Sequence, residues 1–219
     1  MSLREPGAFR LIATLAVAGL LSGTMLVGVY LATEPRIERN RREALAAAIL
    51  KVLPGASDIS GFVLRDGRLE PDAAGEISTS AALFSGRTVD GRLVGFAIPA
   101  DGPGYMDTVK LLYGFDPARR VIVGMEVLDS RETPGLGDKI ITDPRFRANF
   151  EALAVEPEIV PVKKGEKANP NEVDCITGAT ISSEAVVGIL NRGNERWLPL
   201  LDGLKPEEEQ GGGDPATGG

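Results

Sequence analysis

The segment ALFSGRTVDGRLVGFAIP, residues 82–99, decides the fold of the chain because it places an Asp-Gly pair, Asp90 and Gly91, between two apolar runs. Aspartate and glycine tolerate the positive φ angles that a tight hairpin turn requires. Short apolar runs on both sides of such a pair are typical of β-strands. The segment therefore predicts a β-hairpin.

The same pattern recurs on both sides of this hairpin. The upstream segment GFVLRDGRLE, residues 61–70, carries a second Asp-Gly pair at Asp66-Gly67. Downstream, the strand-like segments TVKLLYGFD (108–116) and RRVIVGMEVL (119–128) flank a turn at Asp116-Pro117. Three hairpins predict an antiparallel sheet of about five or six strands.

Helical patterns precede and follow these strands. Residues 36–53 are alanine-rich and end at Pro54-Gly55, a helix stop. The apolar face of this helix is formed by Leu45, Ile49, Val52 and Leu53. A short helix is predicted from Asp143-Pro144 to Leu153, and a last helix begins near Ser182. The predicted fold class is α+β, an antiparallel β-sheet domain with flanking helices.

A membrane anchor is predicted ahead of this domain. Residues 11–32 form 22 consecutive positions without a charge, and roughly 20 apolar residues in a helix span a bilayer. A cleaved signal peptide is the alternative, but its apolar region is shorter, and no A-x-A cleavage site follows the segment. The prediction is one transmembrane helix.

The chain accordingly divides into five parts. They are an N-terminal tail (1–10), the transmembrane helix (11–32), an amphipathic stalk helix (33–55), a globular domain (56–204) and a C-terminal tail (205–219). The tail carries no apolar side chain large enough to pack, which predicts disorder.

Composition excludes several classes of function. The net charge of −7 argues against a nucleic-acid partner, which needs a basic surface. Without histidine, the usual haem and zinc sites are excluded, and no metal site is predicted. The single Cys175 forms no internal disulfide and holds no iron–sulfur cluster. If this chain carries electrons, an organic cofactor must do so.

The charges on the two sides of the anchor bear on its orientation and, taken alone, leave it open. Two arginines precede residues 11–32, whereas Arg36, Arg39, Arg41 and Arg42 follow them. The positive-inside rule therefore favours a cytoplasmic location for the C-terminal domain.

The first of two glycine-rich loops is DSRETPGLGDKI, residues 129–140. It lacks the G-x-G-x-x-G spacing of a dinucleotide site and is not expected to open a helix. One interpretation is a type II turn, with Pro134 and Gly135 at its centre. The other is a ligand loop, in which Glu132, Thr133 and Lys139 surround a ring system and its phosphate.

The second loop is DCITGATISS, residues 174–183, immediately before the last helix. One interpretation is a helix N-cap, for which Thr180, Ser182 and Ser183 all qualify. The other is a phosphate site, because the amino end of a helix presents free N–H groups and partial positive charge. The residue types alone leave both interpretations open.

Together, the two loops resemble the two signatures of the FMN-binding domain family. In that family, the motif Asp-x-x-(Ser or Thr)-Gly-Ala-Thr is where a flavin transferase joins FMN to the last threonine. The resemblance assigns Asp174, Thr177, Gly178 and Ala179 to the recognition positions and Thr180 to the covalent phosphoester. It implies that residues 56–204 form an FMN-binding domain.

The resemblance also implies roles for the first loop. Glu132, Thr133, Leu136 and Gly137 would contact the flavin, and Lys139 would balance the phosphate charge. Relatives often carry histidine just before the glutamate, where this chain has Ser130-Arg131. Cys175, at a variable position of the motif, is expected to be a buried filler.

The segment ETPGLGDKI, residues 132–140, is most similar to the corresponding loop in one branch of the family, the G-subunits of Rnf complexes. That branch implies an electron-relay subunit of a membrane-bound ion-translocating ferredoxin:NAD oxidoreductase, with no catalytic residues of its own. The implied partners are the other membrane and peripheral subunits, the flavin transferase and membrane lipid. The implied location is the inner membrane, with the FMN domain on the extracytoplasmic side, against the arginine count.

Two alternatives remain at this point. The first is the covalent-FMN subunit of a sodium-translocating NADH:quinone reductase or another flavinylated respiratory complex. The second is a non-redox, membrane-anchored binding module in which the second loop is only a helix cap.

Overall fold

A computed structural model describes residues 7–72, 77–78 and 80–203 of the chain. The predicted C-terminal tail, residues 205–219, lies outside the described residues. The chain divides into two compact units, Met1–Ala44 and Leu45–Gly219.

The first unit consists of the greater part of one long helix. Helix α1 spans Ala8–Val52, 45 residues in all. Among the described residues it is the one helix long and apolar enough to cross a membrane, with a mean hydropathy of 2.0 over its most apolar window. None of that window is buried inside the protein. The predicted transmembrane segment 11–32 lies within this helix.

The second unit is built on a seven-stranded sheet with the order β2-β1-β3-β4-β5-β6-β7. Its strands are β1 (Asp58–Arg65), β2 (Arg68–Pro71), β3 (Leu83–Arg87), β4 (Leu93–Pro103), β5 (Thr108–Asp116), β6 (Val121–Asp129) and β7 (Leu153–Ala154). All neighbouring strands in this sheet are antiparallel. A separate parallel pair joins β8 (Val160–Val162) to β9 (Glu172–Asp174).

The three predicted hairpins are confirmed. In the first, Arg65 pairs with Arg68, and the two loop residues Asp66 and Gly67 have φ angles of 48° and 76°. Gly91 has a φ of 79° in the turn between β3 and β4. At the end of β5 the Asp116 carboxylate accepts hydrogen bonds from two backbone N–H groups of the following turn. Local turn chemistry therefore sets the meander.

The predicted helix from Asp143 to Leu153 is wrong in its length. Helix α3 covers only Pro144–Ala148, with the Asp143 side chain capping it as expected. It ends because the side chain of Asn149 donates to the carbonyl of Phe146 and to that of Asp174. Leu153 instead lies in strand β7, where it pairs with Ile122 of β6. The sequence did not predict this strand.

Helix α4 covers one face of the sheet and spans Thr180–Asp202. It begins two residues earlier than predicted. Its buried residues include Val186, Ile189, Leu190 and Trp197. They share a core with the side chains of Leu111, Tyr113 and Phe115 on β5. This packing holds the amino end of α4 against the sheet.

The end of α1 covers the other face. Ile49, Val52 and Leu53 are buried with Phe84 and Leu112, as the apolar face in the sequence predicted. Each such side chain contributes about 1.5–3 kcal/mol of burial free energy. Strand β5 is therefore covered on both faces, and the loops at the ends of the sheet remain at the surface.

Candidate functional site

The second glycine-rich loop connects β9 to α4 through one tight turn. The backbone N–H of Ala179 donates to the carbonyl of Ile176 over 2.9 Å, and Gly178 within this turn has a φ of 82°. A side chain at position 178 would strain that backbone. The glycine of the motif is therefore required by the turn itself.

The interpretation of Thr180, Ser182 or Ser183 as the N-cap is wrong. Ala179 occupies the cap position of α4 and makes no side-chain hydrogen bond. Ser183 Oγ instead donates to the Ala179 carbonyl (2.9 Å) and accepts from the N–H of Ile176 (3.1 Å). Ser182 Oγ donates to Glu132. Both serines are buried structural groups.

Thr180 differs from these serines. It is the first residue of α4 and is exposed. Its hydroxyl makes no hydrogen bond with any residue that the structure describes. A free hydroxyl at a helix start is accessible to an electrophile.

The first glycine-rich loop forms the predicted turn. The N–H of Leu136 donates to the carbonyl of Thr133 over 3.1 Å, and Gly135 has a φ of 77°, as a type II turn requires. One expectation was wrong, because the loop leads directly into a short helix, α2, over Lys139–Thr142. The N–H groups of Lys139 and Ile140 close tight turns back onto the loop, which starts this helix.

Glu132 joins three segments beneath the first loop. Its side chain is 5% exposed and accepts hydrogen bonds from the Met106 N–H (3.0 Å) and from Ser182 Oγ (2.5 Å). A Cβ at Gly137 would lie 2.6 Å from the same carboxylate, so only glycine permits this close approach. Glu132 therefore fixes the position of the loop relative to α4.

These contacts bring the two loops to one cavity of about 350 Å³. It is lined by Tyr105, Thr133, Leu136, Gly137, Gly178, Ala179, Thr180, Ile181 and Ser182. Tyr105, Leu136 and Ile181 expose 60%, 50% and 57% of their surface although they are large and apolar. A planar aromatic ring fits such a cavity, because it would cover this apolar surface.

Thr180 also borders a second groove of about 630 Å³, which is more polar than the apolar cavity. We call it the lysine groove. Its lining comprises Pro161, Val162, Lys163, Lys164, Glu166, Cys175, Thr177, Gly178, Thr180 and Glu184. Among the residues that the structure describes, no lysine or arginine lines the apolar cavity. Thr180 thus lies where an apolar surface meets a surface that contains cations.

The predicted site residues take different positions. Thr133, Leu136, Gly137, Gly178, Ala179 and Thr180 line the apolar cavity, whereas Thr177 lines the lysine groove. Glu132 and Asp174 support the loops from within. Lys139 lines neither cavity. The sequence-based prediction missed Tyr105, Ile181, Lys163 and Lys164, although the last two form a dibasic pair shortly before the motif.

Cys175 is a buried side chain within the motif, 5% exposed. Burial raises the pKa of its thiol, and the carboxylates of Glu184 and Asp174 raise it further. A raised pKa lowers the fraction of reactive thiolate. Both features fit the expectation that Cys175 fills space in the protein interior and is not a redox centre.

Comparison with known proteins places the site in a family. The FMN-binding domain matches residues 104–195, which include both glycine-rich loops. The G-subunit of the Na⁺-translocating ferredoxin:NAD⁺ oxidoreductase complex from Acetobacterium woodii is 30% identical over 193 residues, covering 84% of this chain and 88% of that protein. The G-subunit of an ion-translocating oxidoreductase complex from Methanosarcina acetivorans is 28% identical, covering 83% and 90%.

Solved structures confirm the fold class. Shewanella oneidensis NqrC superimposes with a TM-score of 0.60 at 17% identity, covering 75% of this chain and 99% of that one. The C-subunit of the Na⁺-translocating NADH-quinone reductase from Parabacteroides distasonis gives 0.58 at 19% identity, with coverage of 74% and 94%. At these identities the likeness concerns the fold alone. The sequence relatives decide the assignment, and the chain belongs to the G-subunit family of ion-translocating oxidoreductase complexes, with an FMN-binding domain after its long apolar helix.

Proposed function

We propose that this protein is the electron-relay subunit of a membrane-bound, Rnf-type ion-translocating ferredoxin:NAD oxidoreductase complex, with FMN joined to Thr180 through a phosphoester. Membership of the G-subunit family supports this assignment, as do the names of two relatives, the sodium- and proton-translocating ferredoxin:NAD⁺ complexes. Bound FMN would supply the electron-transfer chemistry. The protein would act as one subunit of the complex and not as an enzyme alone.

The free hydroxyl of Thr180 carries this proposal. It is exposed at the start of α4, whereas the neighbouring Ser182 and Ser183 are buried and hydrogen-bonded. A hydroxyl must be accessible, and its proton must be free to pass to a base, before it can be esterified. Among the three hydroxyls at this helix start, Thr180 meets both requirements.

The surrounding residues would hold the cofactor by two kinds of contact. Leu136, Tyr105 and Ile181 would cover the faces and edge of the ring, which would bury apolar surface that the chain leaves exposed. Thr133 and Gly137 would complete the lining of the cavity. Glu132 would hold the first loop at a fixed position relative to α4 through its hydrogen bond with Ser182. Lys139 begins α2 outside the cavity lining, and the lysines that border Thr180 are Lys163 and Lys164.

The proposal is tested on the full chain co-expressed with a flavin transferase. The protein purified in detergent is expected to be yellow, to absorb as a flavin, and to carry the mass of one FMN less one water. Expression without the transferase serves as the control and should give the unmodified mass. A colourless, unmodified chain from the co-expressing host would contradict the proposal and favour a non-redox binding module.

We assign the protein to the inner membrane as a single-pass subunit, with its FMN domain on the extracytoplasmic side and the other subunits and lipid around α1. The one long apolar helix found among the described residues supports the anchor, and the family resemblance supports the orientation. The four arginines after residue 32 oppose that orientation by the positive-inside rule.

Reporter fusions at the carboxyl end decide between the two orientations. Alkaline phosphatase, which folds outside the cytoplasm, is expected to be active, and green fluorescent protein is expected to be dark. The reverse result would place the FMN domain in the cytoplasm.

A further inference from the structure

Thr180 lies between two surfaces of different chemistry, the apolar cavity and the lysine groove. The described lining of the apolar cavity contains no lysine or arginine, whereas the lysine groove contains Lys163 and Lys164. Neither lysine side chain forms an ion pair or hydrogen bond with a residue in the described part of the chain. Two cations in a groove that the Thr180 side chain also lines suit a ligand with phosphate groups.

We propose that the lysine groove binds the pyrophosphate and adenylate end of a flavin dinucleotide while Thr180 is being loaded. This inference rests on the proposed covalent attachment at Thr180. With the flavin ring in the apolar cavity, the part of the donor beyond the first phosphate must leave on the other side of Thr180. That side is the lysine groove.

The loading reaction explains why cations are useful there. Thr180 Oγ1 attacks the phosphorus next to the ribityl chain, and a new P–O bond forms. The P–O bond of the pyrophosphate breaks, adenosine monophosphate leaves with the bonding electrons, and the hydroxyl proton passes to a base of the transferase. Negative charge develops on the departing phosphate, and nearby ammonium groups stabilise that charge.

The lysines are placed by the parallel pairing of β8 with β9. Val162 at the end of β8 is paired with Asp174, and the N–H of Cys175 donates to the Val162 carbonyl over 2.9 Å. The next residues after β8 are Lys163 and Lys164. The strand pairing therefore brings these lysines beside the motif that ends at Thr180.

Asp174 then shapes the loop that carries the lysines. Its Oδ1 accepts hydrogen bonds from the N–H of Gly165 (3.0 Å) and from that of Lys167 (3.2 Å). Asn149, 7% exposed, holds Asp174 in turn, because its side-chain amide bonds both the N–H and the carbonyl of that residue. Asp174 is thus a positioning residue that presents Lys163 and Lys164 to the groove.

Two carboxylates limit how tightly the groove binds anions. Glu166 and Glu184 line it together with the lysines. Their charge opposes a permanent anionic ligand but allows one that the transferase delivers and the reaction releases. The loading step needs a weak site, because adenosine monophosphate must leave the groove once the bond to Thr180 has formed.

The test measures the rate of flavin incorporation into the detergent-purified full chain. Purified transferase and flavin adenine dinucleotide below saturation are added, and in-gel flavin fluorescence is followed with time. The double variant K163Q/K164Q is expected to load about tenfold more slowly than the unaltered protein. The control R68Q/R92Q, which removes the same charge from exposed hairpin positions, is expected to load at the unaltered rate.

The end point of the reaction separates a loading role from a static one. K163Q/K164Q is expected to reach full incorporation with an unchanged absorption spectrum. If K163Q/K164Q loads at the rate of the control variant, the proposal is overturned. That result would also be expected if the lysines only balanced the charge of the finished phosphodiester. If the unaltered protein takes up no flavin, the proposed function fails instead.

A variant of Asp174 tests the positioning role. D174A is expected to slow loading about as much as the lysine double variant. Combined with K163Q/K164Q, it is expected to add little further loss, because both changes remove the same presented lysines. A full additional loss in the combined variant would show that Asp174 acts by another route.

Discussion

Thr180→Ala is expected to abolish covalent flavin, so that the chain co-expressed with the transferase shows no in-gel fluorescence and no added mass. The hydroxyl that would form the ester is removed, and Ser182 and Ser183 cannot replace it because they are buried and hydrogen-bonded. Thr180→Ser keeps a hydroxyl at the same position and is expected to retain at least part of the loading.

Stability provides the control for this result. The Thr180 side chain is exposed and unbonded within the described structure, so its removal is expected to change the free energy of unfolding by less than about 0.5 kcal/mol. Thr142→Ala, at another exposed threonine on a helix, is expected to leave loading unchanged. Fluorescence that persists in the Thr180→Ala variant would place the flavin on another residue.

The sheet could be predicted from the sequence because its turns are local. Asp66-Gly67 forms a tight hairpin turn from residues adjacent in the chain. The apolar face of residues 45–53 likewise follows from helical spacing alone. Such features need no knowledge of distant contacts, and their interpretation holds in the folded protein.

Two of the errors concern side chains that bind residues far away in the sequence. Asn149 ends α3 by bonding Asp174, 25 positions later. Ser182 lies inside α4, after the cap position, and its hydroxyl donates to Glu132, 50 positions earlier. A hydroxyl at a helix start commonly caps the helix by accepting a backbone N–H, whereas the Ser182 hydroxyl acts as a donor to a buried carboxylate.

The candidate site shows the same division between local and distant information. The motif resemblance selects Thr180, Gly178 and Leu136, which the fold brings to one cavity. It carries no information about Lys163 and Lys164, which border Thr180 only through the pairing of β8 with β9. Tyr105 and Ile181 were missed because their exposed apolar surface has meaning only once the cavity exists.

Glu132→Ala is expected to lower both the stability of the domain and its flavin content. The change removes the acceptor for Ser182 Oγ and for the Met106 N–H, and it leaves a buried hydroxyl without a partner. Leaving such groups unpaired costs about 1–3 kcal/mol each, and the expected loss in the free energy of unfolding is about 2–4 kcal/mol. Chemical denaturation of the detergent-solubilised full chain, with the flavin absorbance per chain, measures both effects.

Two further variants separate charge from support. Glu132→Gln keeps a side-chain oxygen for the Met106 N–H and an amide that Ser182 Oγ can accept from, so it is expected to lose less than about 1 kcal/mol and to retain most of its flavin. Glu151→Ala removes a carboxylate at an exposed position and is expected to change neither quantity. If Glu132→Gln were as damaging as Glu132→Ala, the negative charge itself would be required at the cavity wall, and hydrogen-bonded support of the loop would not be its main role.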